Sequence, residues 1–378
     1  MYVMNSWILY RIITVVLLTC SIVAHAVADV APRKALNLRD GMELNSVVSN
    51  VASARVIYVG ETHDSYSDHI TQLEIIRLLH KQNPNVAIGM EQFQQPFQSI
   101  LDSYIDGALD EKMLIRESEW MERWRFDYRL YRPILSFARE HKIPVIALNI
   151  PKEIIAKVSK DGIDGLSAQD KEQIPSEIDY SDENYRQRLQ QIFNSHPHKN
   201  EKGFERFHQV QLLWDEGMAA RAAEYLQVNP ERQLIVLAGV GHLIYRSGIP
   251  QRVSRRVKHE SAIILPTGEF PLEQDVADFL VHGGGEELPK QGMLGIYMED
   301  GEQGVKVKEL VAEGVAIKAG VEEGDLILEV DSKPIKDVVD LKLELLDKAP
   351  GNQVTLHILR KSLLLQDKRM DLKFKLGE

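Results

Sequence analysis

The sequence predicts an α/β protein, a mainly parallel sheet flanked by helices, followed by a small β-rich module. Three observations predict it. The apolar runs at 56–59, 86–90, 145–148 and 234–238 have the length and branched content of strands buried on both faces. Stretches with apolar residues at helical spacing separate them, the alternation that produces parallel sheets. Beyond Gly283-Gly284-Gly285 the apolar runs become shorter and more closely spaced, which marks a second domain.

In chain order, residues 1–28 read as an export signal: Arg11, an apolar run over 12–23, then Ala26-Val27-Ala28 before Asp29. The run is short for a membrane span. Leu17-Leu18-Thr19-Cys20 offers a second reading, a lipoprotein signal ending at Cys20, although threonine is a poor fit before the cysteine. Cys20 is the one cysteine, so the mature chain forms no internal disulfide.

The first domain spans 36–282. Its strand at 55–60 is followed by a helix over 67–80, with Ile70, Leu73, Ile76 and Leu79 as the apolar stripe. Asn83-Pro84-Asn85 breaks the chain before the second strand, which ends in Glu91. Helical stretches over 95–106 and 110–117 lead to an aromatic patch of Trp120, Trp124, Phe126, Tyr128 and Tyr131. A helix over 132–141 precedes the third strand, which ends at Asn149 and is stopped by Pro151. Residues 152–200 are polar and helical, an insertion beside the sheet. A long helix over 204–226 returns the chain to the strand at 234, and a strand at 261–265 and a helix at 272–280 close the domain. Residues 283–289 form a Gly-rich linker. Residues 290–378 carry β-like runs at Val305-Lys306-Val307, Leu326-Ile327-Leu328 and Val354-Thr355-Leu356, and a helix near 338–346. Cutting within the three glycines is expected to release this module as a unit that folds alone.

Length and composition fit one large and one small domain, with 378 residues of which 44% are hydrophobic. The net charge of -11 speaks against a nucleic-acid-binding surface.

The chemistry gathers at the strand ends. The first strand runs into Gly60-Glu61-Thr62-His63 and the fourth into Gly239-Val240-Gly241-His242, the same Gly-x-x-His phrase. Parallel sheets bind ligands beyond the carboxyl ends of their strands, so Glu61, His63, Glu91, Asn149 and His242 are expected to share one edge. Two carboxylates and two imidazoles there could hold a divalent metal ion, or act as general base and orienter around a polarised carbonyl. A blander role is also open: glycines that allow tight turns, acids that cap helices and buried histidines. No H-E-x-x-H and no cysteine pair supports a standard zinc site. His196-Pro197-His198 reads as surface loop. The aromatic patch could floor a pocket for haem, with Tyr128 or Tyr131 as axial tyrosinate.

The C-terminal module carries Met293-Leu294-Gly295-Ile296, then Ala319-Gly320-Val321-Glu322-Glu323-Gly324-Asp325-Leu326-Ile327-Leu328-Glu329-Val330-Asp331. These phrases resemble a bacterial-type PDZ domain. The resemblance implies that backbone N–H groups around Leu294, Gly295 and Ile296 receive the carboxylate of a peptide or protein C-terminus, and that the next strand accepts the peptide as an added strand. Val338 and Val339, where some PDZ domains place a histidine, imply an apolar terminal residue.

The larger domain resembles the ChaN family of haem-binding uptake proteins, in one superfamily with Tiki proteases, TraB proteins and erythromycin esterases. Its carriers are Gly60-Glu61-Thr62-His63, Gly89-Met90-Glu91, Tyr131-Arg132-Pro133-Ile134-Leu135, Ala147-Leu148-Asn149-Ile150-Pro151, Trp214-Asp215 and Gly239-Val240-Gly241-His242. The resemblance implies an exported haem- or iron-binding protein, a periplasmic or outer-membrane lipoprotein of a Gram-negative cell, touching the membrane only through a lipid anchor and pairing as a homodimer. In the hydrolytic relatives the residues matching Glu61, His63, Glu91 and His242 form the active centre, in Tiki with a metal ion, so a metal-dependent hydrolase is the alternative.

Overall fold

Six parallel strands place the four motif-bearing strand ends on one edge. In chain order the first domain contains α1 (Leu44–Val51), β1 (Val56–Glu61), α2 (Tyr66–Gln82), β2 (Val86–Gln94), α3 (Gln98–Asp106), α4 (Glu111–Glu117), α5 (Trp120–Arg123), α6 (Arg132–Glu140) and β3 (Val145–Asn149). Then come α7 (Lys152–Asp161), α8 (Ala168–Lys171), α9 (Glu183–Ser195), α10 (Glu201–Val228), β4 (Gln233–Gly239), α11 (Ile249–Arg256), β5 (Ser261–Pro266) and β6 (Phe279–Val281). The sheet order is β3-β2-β4-β1-β5-β6, parallel throughout. This computed structural model describes residues 41–195, 201–268, 270, 273, 275–362 and 366–378. The expected signal at 1–28, with Cys20, and His196-Pro197-His198 lie outside the described residues.

Alternate strand residues feed two cores, as the two-residue period requires. Ile57, Val59, Ile88, Met90, Ile235 and Leu237 pack on α2, α3 and α6. Val56, Tyr58, Ala87, Leu234 and Val236 pack on α10 and α11. On α2 the buried stripe is His69, Gln72, Leu73, Ile76 and Leu79, while Ile70 is only half-buried. Two polar side chains therefore occupy core positions. At the other edge, Phe279–Val281 pairs with β5 where a helix was expected. Asp278 accounts for it, because its N–H donates to the Ile263 carbonyl and its carboxylate accepts the Ile263 N–H, which commits the chain to the sheet.

The second domain is an antiparallel sheet ordered β12-β11-β9-β8-β7, with β10 against β9. Its elements are β7 (Ile296–Asp300), β8 (Val305–Leu310), α12 (Val315–Lys318), β9 (Leu326–Val330), β10 (Lys333–Pro334), α13 (Val338–Leu345), β11 (Gln353–Arg360) and β12 (Lys368–Lys375). Leu341 and Leu345 of α13 enter this domain's core. Val339, Leu343 and Leu346 pack against the core of the first domain. Around that contact Arg116 grips Asp337 with two bonds of 2.9 Å, Lys112 reaches Glu344 at 2.6 Å, and Arg132 reaches Asp347. Nor does the glycine segment hang free, since Ser67 donates to Glu286 at 2.8 Å and Arg129 donates to the Pro289 carbonyl.

Candidate active site

Parallel register sets Glu61 opposite Gly239, and β2 loses regular pairing with β3 between Met90 and Gln94. That irregularity turns Glu91 and Gln92 toward the end of β1, where Gln92 Nε2 donates to Glu61 Oε1 at 3.0 Å. After β4, a single turn at Val240–His242 brings His242 back over the same edge.

Glu61 is fully buried, and its hydrogen bonds gather on one oxygen. Its Oε1 also accepts from His63 Nδ1 at 2.8 Å and from the Tyr131 hydroxyl at 3.0 Å. His69 Nδ1 is hydrogen-bonded to Gln72 Oε1 at 3.2 Å and lies at ion-pair distance, 3.1 Å, from Glu61 Oε2. Its Nε2 faces the His63 carbonyl. Burial alone would raise the Glu61 carboxyl. The bonds from His63 and His69 outweigh burial and hold it at about 2. Both histidines are raised in return, burial opposing and Glu61 prevailing.

A second chain of groups faces the first. His242 Nδ1 lies 2.6 Å from Asp215 Oδ1, and its Nε2 lies 3.3 Å from Glu91 Oε1. Both acceptors are carboxylates, so the ring is held as an imidazolium, raised well above its ordinary value although burial opposes this. Tyr185 donates to Asp215 Oδ2 at 2.6 Å, and the Gly239 N–H donates to Glu91 Oε2 at 2.8 Å. The two chains meet at Gly239, where a Cβ would lie 2.8 Å from His63 Cε1 and 3.7 Å from Glu91 Oε2. Glu61, His63, Glu91 and His242 thus stand together. His63 is the most open of them, its side chain 31% exposed and flanked by the rings of Trp124 at 4.8 Å and Phe126 at 5.2 Å. Asn149 stands behind, donating to the Glu91 carbonyl.

The geometry bears on the expected cofactors. Among the described residues no group of three or more His, Cys, Asp or Glu side chains is placed to hold a metal ion. His242 directs both ring nitrogens at carboxylates, Asp215 and Glu91, whereas His63 directs only Nδ1, at Glu61. Tyr128 and Tyr131 do not fit as haem ligands. Tyr128 is buried against Trp120 and Tyr131 is fully buried with its hydroxyl given to Glu61. Burial pushes both phenols up.

His69, Gln92, Tyr185 and Asp215 are site residues that sequence reasoning did not select as such. A signal existed for two of them. His69 keeps the spacing of the α2 stripe, and Asp215 keeps that of Leu212, Ala219 and Ala222, all buried. A titratable group at a core position of a helix needs a partner.

In the second domain, Leu294, Gly295 and Ile296 line one end of a groove, and Gly295 has φ +74, which favours glycine. Val338 packs toward this domain's core. Val339 instead faces the first domain, and Lys342 and Leu345 take the groove side of α13.

An α/β domain with an acid-and-histidine edge, joined to a peptide-groove module, defines the class. The chain belongs to the family described as haem-binding uptake, Tiki superfamily, ChaN, whose model matches residues 47–253, and a PDZ domain matches residues 292–373. A solved structure described as cofacial heme binding to ChaN of Campylobacter jejuni shares 18% identity, covers 63% of this chain and 91% of its own, and superposes with a TM-score of 0.52. The protein RETICULATA-RELATED 5, chloroplastic, of Arabidopsis thaliana is 25% identical over 269 residues, 64% of this chain and 35% of that protein. The chain thus spans about a third of that relative's length. No helix among the described residues is long and apolar enough to cross a membrane.

Proposed function

We propose that the α/β domain performs general acid–base chemistry of a hydrolytic kind on a ligand held at the sheet edge, while the PDZ module takes peptide C-termini. The observation that carries this is the meeting at Gly239 of the Glu61–His63 couple and the Glu91–His242–Asp215 chain. Glu61 fixes the ring of His63 through Nδ1, which leaves Nε2 to exchange a proton with the ligand. Above its raised pKa His63 acts as base, and below it as acid. Held between two carboxylates, His242 keeps a positive charge beside Glu91 and so supplies a fixed field where charge develops. Trp124 and Phe126 limit access of water to His63.

Haem or iron binding is the second reading, favoured by the family's description and by the haem bound in the Campylobacter jejuni ChaN structure. Export, with cleavage after Ala28 or lipidation at Cys20, and pairing as a homodimer accompany it. Bound haem would supply redox-active iron; because the tyrosines do not fit as ligands, no step is assigned to it.

One preparation of the chain tests both. Chromogenic esters are offered to the wild type, His63→Ala, His242→Ala and the double variant, alongside metal analysis and a haem titration followed in the Soret region. Hydrolysis lost in each single variant, with the double variant far less impaired than the product of the singles, supports a shared centre. A stoichiometric Soret shift without hydrolysis replaces the first reading with the second. Losses that track only the folded fraction reduce all four residues to turn and cap roles.

A further inference from the structure

The groove beside β7 has walls from both domains. Strand β7 ends its sheet, so its outer edge carries no partner strand among the described residues. Between that edge, α13 and residues 120–128 lies a space of about 530 Å³. Leu294 and Leu345 line it from the PDZ side, and Met121, Arg125 and Phe126 from the α/β side. Its charges are unevenly matched. Asp127 and Glu378, at the rim, are paired with Arg129 and Lys290. Arg125 and Lys342 are exposed and have no ionic partner among the described residues. An apolar trough with two uncommitted cations, one from each domain, suits an extended chain bearing two negative charges.

Phe126 connects this groove to the sheet edge. It lines the groove and also sits 5.2 Å from the His63 ring. Its segment is set by two residues in the left-handed region, Glu119 at φ 52 and Arg125 at φ 74, and by a 2.8 Å bond from Trp120 Nε1 to the Phe126 carbonyl. Trp124, between them, packs edge-on to His63.

We propose that the groove binds a peptide C-terminus with an apolar last residue and an acidic residue shortly before it, read jointly by the PDZ module and Arg125, and that its occupancy is felt at His63 through Phe126. The last side chain enters beside Leu294 and Leu345, the terminal carboxylate meets the N–H groups around Gly295, and the peptide backbone extends β7. The upstream acid faces Arg125. A chain laid against Phe126 changes how that ring and Trp124 cover His63. This rests on the reading of the module as a peptide binder.

The test uses the full chain and octapeptides ending in valine with a free carboxylate, one set with aspartate among the three preceding residues and one with serine there. Calorimetry on Arg125→Glu is expected to show about tenfold weaker binding of the aspartate peptide and little change for the serine peptide. The His63 Cε1–H resonance is expected to shift when the aspartate peptide saturates the wild type, and to stay still in Phe126→Ala. Wild-type affinities in both variants, with binding abolished by Leu294→Asp, overturn the joint groove and leave the PDZ reading standing. A His63 resonance unmoved at saturation overturns the link to the sheet edge. If the wild type binds neither peptide, this inference and the peptide reading fall together.

Discussion

Exchanging Glu61 for glutamine removes a buried charge and leaves the side chain's size unchanged. The carboxyl titrates at about 2 in the fold against an ordinary 4.5. Each unit is worth about 1.4 kcal/mol, so ionised Glu61 adds about 3 kcal/mol to stability once the pH exceeds the ordinary value. A lowered carboxylate loses that contribution as the pH falls toward its folded value, and about 2 kcal/mol of it is gone by roughly pH 3. His63 and His69, raised above 6.5, act in the opposite sense. Their contribution is complete below 6.5 and fades as the pH rises through their folded values. Wild type minus Glu61→Gln should therefore trace a hump, highest at about pH 5 to 6 and lower on both sides. Urea-unfolding free energies of both proteins at intervals from about pH 3 to 9 measure it. A constant offset across that range would refute the reasoning, because Glu61 would then not be ionised against these imidazoles in the fold.

Gly239→Ala should impair His63 while sparing the fold. The new Cβ would lie 2.8 Å from His63 Cε1, where ordinary contact begins at 3.4 Å, so the partly exposed ring must yield by about 0.6 Å. Gly239 has φ -57, which alanine adopts freely. Displacements of this order cost up to about 100-fold in rate, and ester turnover beside a melting curve checks it; unchanged turnover contradicts the placement of His63. Glu216→Ala should destabilise by about 3 to 5 kcal/mol, because it leaves Arg252, itself buried, with Arg255 and Arg256 facing a lost carboxylate. Denaturant unfolding measures this, and a loss below about 1 kcal/mol contradicts it.

The paired Gly-x-x-His phrases were legible because parallel strands always present the same end, so four strand-end residues had to be neighbours once the alternation was recognised. Asp215 and His69 were hidden by the same periodicity that made their helices recognisable. Asp215 sits mid-helix and His69 in the first turn of its helix, each on an apolar stripe, and only its partner, more than two dozen residues away for Asp215 and His242, distinguishes a buried working group from an intruder in the core. Tyr131 was selected from its place in an aromatic patch, and an aromatic ring advertises a flat ligand but not the hydroxyl given to Glu61. Phe279 and Leu280 were misread as the end of a helix over 272–280 because a three-residue strand carries too little periodicity, and Asp278 decides the matter through bonds to β5.

Helix α13 belongs to two cores at once, Leu341 and Leu345 to one and Val339, Leu343 and Leu346 to the other. Covalent boundary and thermodynamic boundary therefore differ. A cut at the three glycines would free a fragment with an apolar stripe on its outer face, prone to self-association, and would strip a lid from the α/β core. Heated intact, the chain should lose both halves in a single transition. Any module put in the PDZ domain's place would have to cover the same face of the α/β core with apolar side chains, where Val339, Leu343 and Leu346 now pack.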